Sequence, residues 1–228
     1  MMQTENTVIR EGISLKNFRM TKTVSLIFRF FVLRVFCCRA LHIYHNAKYF
    51  QWRLMMMNND FTCDVSVNLP YPPTQPESQN PEYALAMLSN IGSSNSEMTA
   101  VSLYFYNSVI LEPSYAGFAK CFHEISIVEM HHLDMFAELA YKMGADPRLW
   151  TVQNRRKSYW TPAYNQYPRN VRDVIINSIK GEEAAIQKYN RQANTIQNSN
   201  IASILRRIVM DEERHIEIFN NMLQHISK

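Results

Sequence analysis

The amino-acid sequence predicts an all-α protein, a four-helix bundle built from two antiparallel hairpins joined by a long crossover. Three observations predict it. Apolar residues recur at three- and four-residue steps over four long segments. The chain is 46% hydrophobic yet has only 5 glycines in 228 residues, so a sizeable core is possible and helix is favoured. The links between the four segments run short, long, short, and short links make antiparallel neighbours.

The chain opens on a basic stretch. Residues 1–54 carry nine Lys/Arg against two Asp/Glu, a balance of +7, whereas 55–228 balance at −3. The pI of about 8.8 therefore belongs to the first segment, and the body has no nucleic-acid footprint. Residues 24–41, VSLIFRFFVLRVFCCRAL, are apolar but interrupted by Arg29, Arg34 and Arg39. Each arginine would cost roughly 2.5–3.5 kcal/mol near a bilayer centre, so no spanning segment is expected. Residues 1–57 are expected to be a basic N-terminal extension outside the fold: a mis-assigned upstream stretch, with Met55, Met56 or Met57 as the start, or a basic membrane-surface anchor. Cys37, Cys38, Cys63 and Cys121 form no Cys-x-x-Cys pair, which excludes a zinc ribbon or rubredoxin-type iron site. This pattern fits a reducing, cytoplasmic location better than a disulfide scaffold.

Residues 58–92 read as a Pro-rich connector and a short helix. Five prolines fall in LPYPPTQPESQNP (69–81), which blocks regular structure. Asn80 and Pro81 then spell a helix start, and IGSSNS (91–96) ends it. The bundle occupies 93–228. Its first helix runs about 95–111, with Val101, Tyr104, Phe105, Ser108 and Leu111 on one face. The second runs about 115–143 on Phe118, Phe122, Ile125, Leu133, Phe136 and Leu139. The third runs about 169–195 on Val171, Val174, Ile175, Ile179, Ile186 and Tyr189, and the fourth about 199–226 on Ile201, Ile204, Leu205, Ile208, Phe219 and Leu223. No strand is expected. The link 145–168 is long enough to cross the bundle, since helices of about 25 residues span roughly 38 Å.

The charged residues on those stripes decide the function. In the second helix Ile125 leads to Glu129, His132 and Phe136; in the fourth Ile208 leads to Glu212, His215 and Phe219. Glu182 follows Ile175 and Ile179, and Glu97 precedes Val101 and Tyr104. His131, Glu183, Glu213 and Arg214 fall off the stripes. Four buried carboxylates are prohibitive unless neutralised, and two divalent cations balance them while two imidazoles complete the shells. An internal repeat supports this. Glu97-x-x-Ala100-x-x-x-Tyr104 reappears as Glu182-x-x-Ala185-x-x-x-Tyr189, and each alanine leaves space near the metals. Tyr104 and Tyr189 are the candidate catalytic side chains, placed to hydrogen-bond a ligand carboxylate or stack over the site, or are plain core tyrosines. Asp211 is placed to take the other N–H of His132. Glu97 has a rival role, since Ser94-x-x-Glu97 fits a capping box.

With these motifs the chain resembles the ferritin-like superfamily over about 93–226, and within it the rubrerythrin-like di-iron proteins. The resemblance implies Glu97, Glu129, His132, Glu182, Glu212 and His215 as ligands of two iron ions that react with hydrogen peroxide or oxygen. It also implies a homo-oligomer. Two departures stand out: the rubredoxin cysteines are missing, so an external donor such as a rubredoxin-like protein is needed, and a glutamate common after the third-helix ligand is Ala185 here. HLDM (132–135) also resembles the manganese catalases, which implies two manganese ions and peroxide disproportionation as the alternative. An iron-storage or shell role is the non-enzymatic alternative.

Overall fold

The computed structural model describes residues 61–227; the expectations for residues 1–57, including the apolar run and the Met55–Met57 start, lie outside them. Residues 61–80 form a strap without regular secondary structure, in keeping with Pro70, Pro72, Pro73 and Pro76. Helix α1 (Pro81–Gly92) begins where the Asn80 side chain accepts from the N–H groups of Glu82 and Tyr83, at 2.9 and 3.1 Å. Its Met87, Leu88 and Ile91 are fully buried in one cluster with Phe136, Leu139, Ile201 and Leu205.

Four long helices follow: α2 (Glu97–Leu111), α3 (Ala116–Lys142), α4 (Val171–Thr195) and α5 (Ser199–His225). Asn170 and Asn198 cap α4 and α5 by accepting from the N–H groups of Arg172 and Ile201. At α2 the N-cap position belongs to Ser96, so Ser94 lies outside the helix and the Ser94–Glu97 capping box does not form. Glu97 turns inward instead and is 2% exposed. Residues 112–115 join α2 to α3 and 196–198 join α4 to α5, links that fold each helix back on its predecessor. The result is the ferritin-like four-helix bundle. No helix among the described residues is long and apolar enough to cross a membrane.

The crossover contradicts the expectation of no strand. β1 (Trp150–Gln153) pairs antiparallel with β2 (Arg156–Tyr159), in register from Trp150↔Tyr159 to Gln153↔Arg156. Asn154 and Arg155, at φ 50 and 62, make the tight turn between them. The strands are four residues each, too short for their alternation to stand out, and arginine fills a turn position that glycine usually marks. The hairpin sits on the end of α1. A Cβ on Gly92 would lie 2.3 Å from the Trp150 backbone nitrogen, so only glycine fits there.

The cysteine expectation is also corrected. Cys63 of the strap and Cys121 of α3 form a disulfide, S–S 2.06 Å. The two residues are 58 positions apart, and only the strap's path over the bundle brings them together.

The core has two apolar clusters. One gathers Phe136, Tyr189, Ile204 and Ile208 with α1. The other gathers Tyr104, Phe118, Phe122, Ile125, Ile175 and Phe219. Along α3 and α5 the charged pairs fall between the residues that feed the two clusters.

Candidate metal centre

Six side chains converge in that layer. Glu97 from α2, Glu129 and His132 from α3, Glu182 from α4, and Glu212 and His215 from α5 are each no more than 2% exposed. Their ligand atoms form two groups, each with all atoms within 4.8 Å of one another: Glu97, Glu129, His132 and Glu212; and Glu129, Glu182, Glu212 and His215. Glu129 and Glu212 belong to both groups. Glu97 and Glu182 belong to one each.

The helical step of three aligns each histidine with its own glutamate. His132 Nδ1 lies 3.0 Å from Glu129 Oε2, and His215 Nδ1 lies 3.1 Å from Glu212 Oε2. The opposite nitrogens fix the tautomers. His215 Nε2 lies 3.0 Å from the Val65 carbonyl oxygen. A carbonyl only accepts, so Nε2 carries the hydrogen and Nδ1 of the neutral ring is a lone pair. That lone pair faces oxygens of Glu129, Glu182 and Glu212 at 3.0, 3.4 and 3.1 Å. A single added proton would satisfy one such contact, not three. His132 repeats the arrangement, with Nε2 at 3.3 Å from Asp211 Oδ2 and Nδ1 at 3.0 and 3.4 Å from Glu129 and Glu212. Glu129 Oε1 and Glu212 Oε1 are buried without an aligned hydrogen-bond donor among the described residues. Orphaned anionic oxygens beside imidazole lone pairs fit a pair of divalent cations: the charges balance, and oxygen and imidazole donors suit iron or manganese.

Without cations, protons take up the charge. Burial, and then the Glu212 and Glu129 charges, push Glu97 well above the usual carboxylate range. Burial and the Glu129 and Glu212 charges push Glu182 up to about 8. Burial alone would raise Glu129, but His215 and His132 outweigh it and hold that carboxyl low. Burial alone would lower both histidines, and the surrounding carboxylates outweigh it and raise them.

The tyrosines cross between the hairpins. Tyr104 donates to Glu182 Oε1 at 2.5 Å, and Tyr189 donates to Glu97 Oε1. Burial first, and then these carboxylates, raise both hydroxyls well above their ordinary pKa, so they remain donors.

Behind His132, Asp211 Oδ2 accepts from Tyr71 at 2.5 Å and pairs with Arg207 Nη1 at 2.7 Å; Oδ1 accepts from the Val67 N–H at 2.8 Å. Arg207 also donates to the Val67 and Leu69 carbonyls and stacks over the Tyr71 ring, 4.3 Å from its centroid. The strap thus backs both histidines, through Val65 and through Tyr71. Sequence reasoning singled out Asp211 but missed Tyr71, Arg207 and the Val65 carbonyl. The available signal was Arg207, one turn before Asp211 on the buried face of α5. His131, Glu183 and Glu213 are exposed, and Arg214 pairs with Glu217.

Residues 92–224 match the Rubrerythrin family model. The structure is similar to KatB, a manganese catalase from Anabaena, with 21% identity, TM-score 0.62, and coverage of 72% of this chain and 81% of that one. It is similar to a dodecameric thioferritin, the bacterioferritin-related protein of Bacteroides fragilis, with 18% identity, TM-score 0.53, and coverage of 66% and 89%. It is also similar to the Mycobacterium tuberculosis bacterioferritin BfrA, with 20% identity, TM-score 0.53, and coverage of 65% and 89%. No curated protein matches the chain. The family match spans more than half of the chain and contains all six converging side chains, and the chain belongs to the rubrerythrin family.

Proposed function

We propose that the chain is an oxidoreductase that holds two iron ions and reduces hydrogen peroxide or oxygen. One observation carries the reading: each imidazole Nδ1 lone pair is ringed by carboxylates, two of which belong to both groups. Glu97 and His132 would hold one ion, Glu182 and His215 the other, and Glu129 and Glu212 both. Two ions so held supply two-electron redox chemistry toward peroxide or oxygen. The chain's own residues prepare the site. Tyr104 and Tyr189 fix the two terminal glutamates from the opposite hairpin. Asp211 and the Val65 carbonyl keep the proton of each histidine on Nε2 and aim Nδ1 inward. The apolar clusters on either side exclude water. Electrons come from an external donor such as a rubredoxin-like protein, since the chain has no Cys-x-x-Cys pair. We expect a homo-oligomer. The Cys63–Cys121 disulfide bears against the cytoplasmic location, because such bonds persist in oxidising compartments.

Elemental analysis of protein from its own source, followed by peroxide assays, tests the proposal. Iron, with peroxide consumed when a donor is added, supports it. Manganese, with oxygen released unaided, replaces it with disproportionation. Metal-loaded protein that neither consumes peroxide nor oxidises ferrous ion leaves a storage or structural role, for which a hollow cage on size-exclusion chromatography is the sign.

A further inference from the structure

The strap covers the histidine side of the cluster, whereas the Glu97 and Glu182 side opens toward solvent between α2 and α4. An inner cavity of about 170 Å³ is lined by Glu97, Glu182, Ala100, Ala185, Tyr104 and Tyr189 among others. An outer cavity of about 740 Å³ is bounded by Tyr164, Tyr167, Asp173 and Lys180. The two share Thr99, Leu103, Asn177 and Gly181 as walls. A Cβ on Gly181 would meet nothing within 4 Å, so the chain leaves open space at this shared wall. The crossover builds the mouth. Asn165 Nδ2 donates to Ser102 Oγ at 2.7 Å and Trp160 Nε1 to Thr99 Oγ1 at 3.0 Å, which pins residues 160–165 against α2.

We infer that Gly181 and Asn177 on α4, with Thr99 and Leu103 on α2, form the neck through which the oxidant reaches the metal centre, and that this neck and chamber admit peroxide- or dioxygen-sized molecules and reject aryl hydroperoxides. The identity of the oxidant rests on the function proposed above; the route does not. The chamber has room for a handful of water-sized molecules, each with a share of about 30 Å³ in the liquid. A cavity of about 150 Å³ already holds a benzene ring, and an aryl hydroperoxide adds a peroxy and an alkyl group to that ring, so its tail extends into the neck. The chamber's tyrosine hydroxyls are already engaged with Glu182 and Glu97, and its alanines offer no polar partner for a larger substrate.

The test uses the full chain with Ala185→Cys, which places a thiol in the chamber wall. Modification by methyl methanethiosulfonate and by a bulky maleimide dye is followed by peptide mass spectrometry, so that the native cysteines do not interfere. The small reagent should label the new thiol and the dye should not. Adding Gly181→Phe, and separately Asn177→Phe, should slow small-reagent labelling about tenfold or more. The Gly181→Phe variant should keep the thermal unfolding midpoint, because position 181 gains helix propensity and open space receives the ring. Unchanged labelling in both variants, or dye labelling as fast as the small reagent, overturns the route. In metal-loaded protein without Ala185→Cys, supplied with an electron donor, hydrogen peroxide should be consumed and cumene hydroperoxide should not; equal consumption overturns the size limit. Blocked labelling in a protein inert to peroxide keeps the neck and removes the oxidant reading.

Discussion

The two helical hairpins, α2–α3 and α4–α5, are alike where they meet the cluster and unlike behind it. Each supplies a lone glutamate, an alanine, a tyrosine and a Glu-x-x-His pair at matching positions, and each tyrosine serves the other hairpin's glutamate. One layer out the match ends. Asp211 and Arg207 on α5 correspond to Val128 and Glu124 on α3, and Lys188 on α4 corresponds to Leu103 on α2. His132 is therefore backed by an ionic network, and His215 by a neutral carbonyl. On the proposed reading, two cations with the same needs impose the same donors. The outer layer answers to neighbours, and these differ: α5 lies under the strap, while Lys188 ties the end of α1 to the turn before α2 through the Ser89 and Asn95 carbonyls. The two proposed metal positions share a set of donor types and differ in the polarity behind it.

The comparison breaks most easily at the shared glutamates. Glu129→Ala or Glu212→Ala should lower metal content from about two per chain to near zero, whereas Glu97→Ala or Glu182→Ala should leave about one. Elemental analysis of the purified variants measures this, with the exposed Glu183→Ala as the unchanged reference. Equal losses from all four would abolish the distinction between shared and terminal ligands.

Next in size is the one-sided network. Asp211→Ala should weaken metal binding at the His132 position by about 10–100-fold. It should also destabilise the fold by about 3–5 kcal/mol, because Arg207 is left buried and unpaired. The counterpart Val128→Ala removes only methyl groups and should leave affinity unchanged. Chelator competition and denaturant unfolding read the two effects. Tyr104→Phe and Tyr189→Phe each remove one hydrogen bond to a carboxylate, about 1.5–3 kcal/mol, and similar midpoint shifts would sharpen the symmetry of the inner layer.

The effect furthest from the cluster's inner layer is a slope. Burial of its ammonium pulls Lys188 down from 10.5 to about 8, against the opposing pull of Glu97 and with help from Arg191. Between those two pH values the unfolded chain keeps a proton that the folded chain has lost, so this lysine makes stability rise with pH across the window. Below about 8 both states are protonated and the contribution is flat. Lys188→Met should remove the rise. Unfolding curves from pH 7.5 to 10 on both proteins would show it, and identical slopes would mean that the ammonium is not held as described.

Helical phase made much of this molecule legible. Glu129, His132, Glu212 and His215 are visible because a charge on an apolar stripe is costly, and the stripe on α3 and α5 is regular. Glu97 was ambiguous at the level of sequence because Ser94-x-x-Glu97 fits a capping box; three-dimensional packing places the N-cap at Ser96 and frees the carboxylate. What stayed hidden depends on contacts far apart in the chain. Tyr71 lies among prolines with no periodicity to place it, Val65 acts through its backbone, and Cys63 meets a partner 58 residues away. The β-hairpin was masked by the brevity of its strands.

The strap closes a ring of chain between Cys63 and Cys121, and closing a loop of 58 residues removes roughly 4 kcal/mol of freedom from the unfolded ensemble. The anchor sits two residues before Val65 and four before Val67. A carbonyl tethered so near its target is present at a high effective concentration, so transient detachment from His215 ends in rebinding rather than escape. The strap groups behind the histidines, the Val65 carbonyl on His215 and the Val67 N–H and Tyr71 hydroxyl that orient Asp211 behind His132, are thus held by a covalent leash, and the imidazoles can keep their orientation through fluctuations that would let an untethered surface segment drift into solvent.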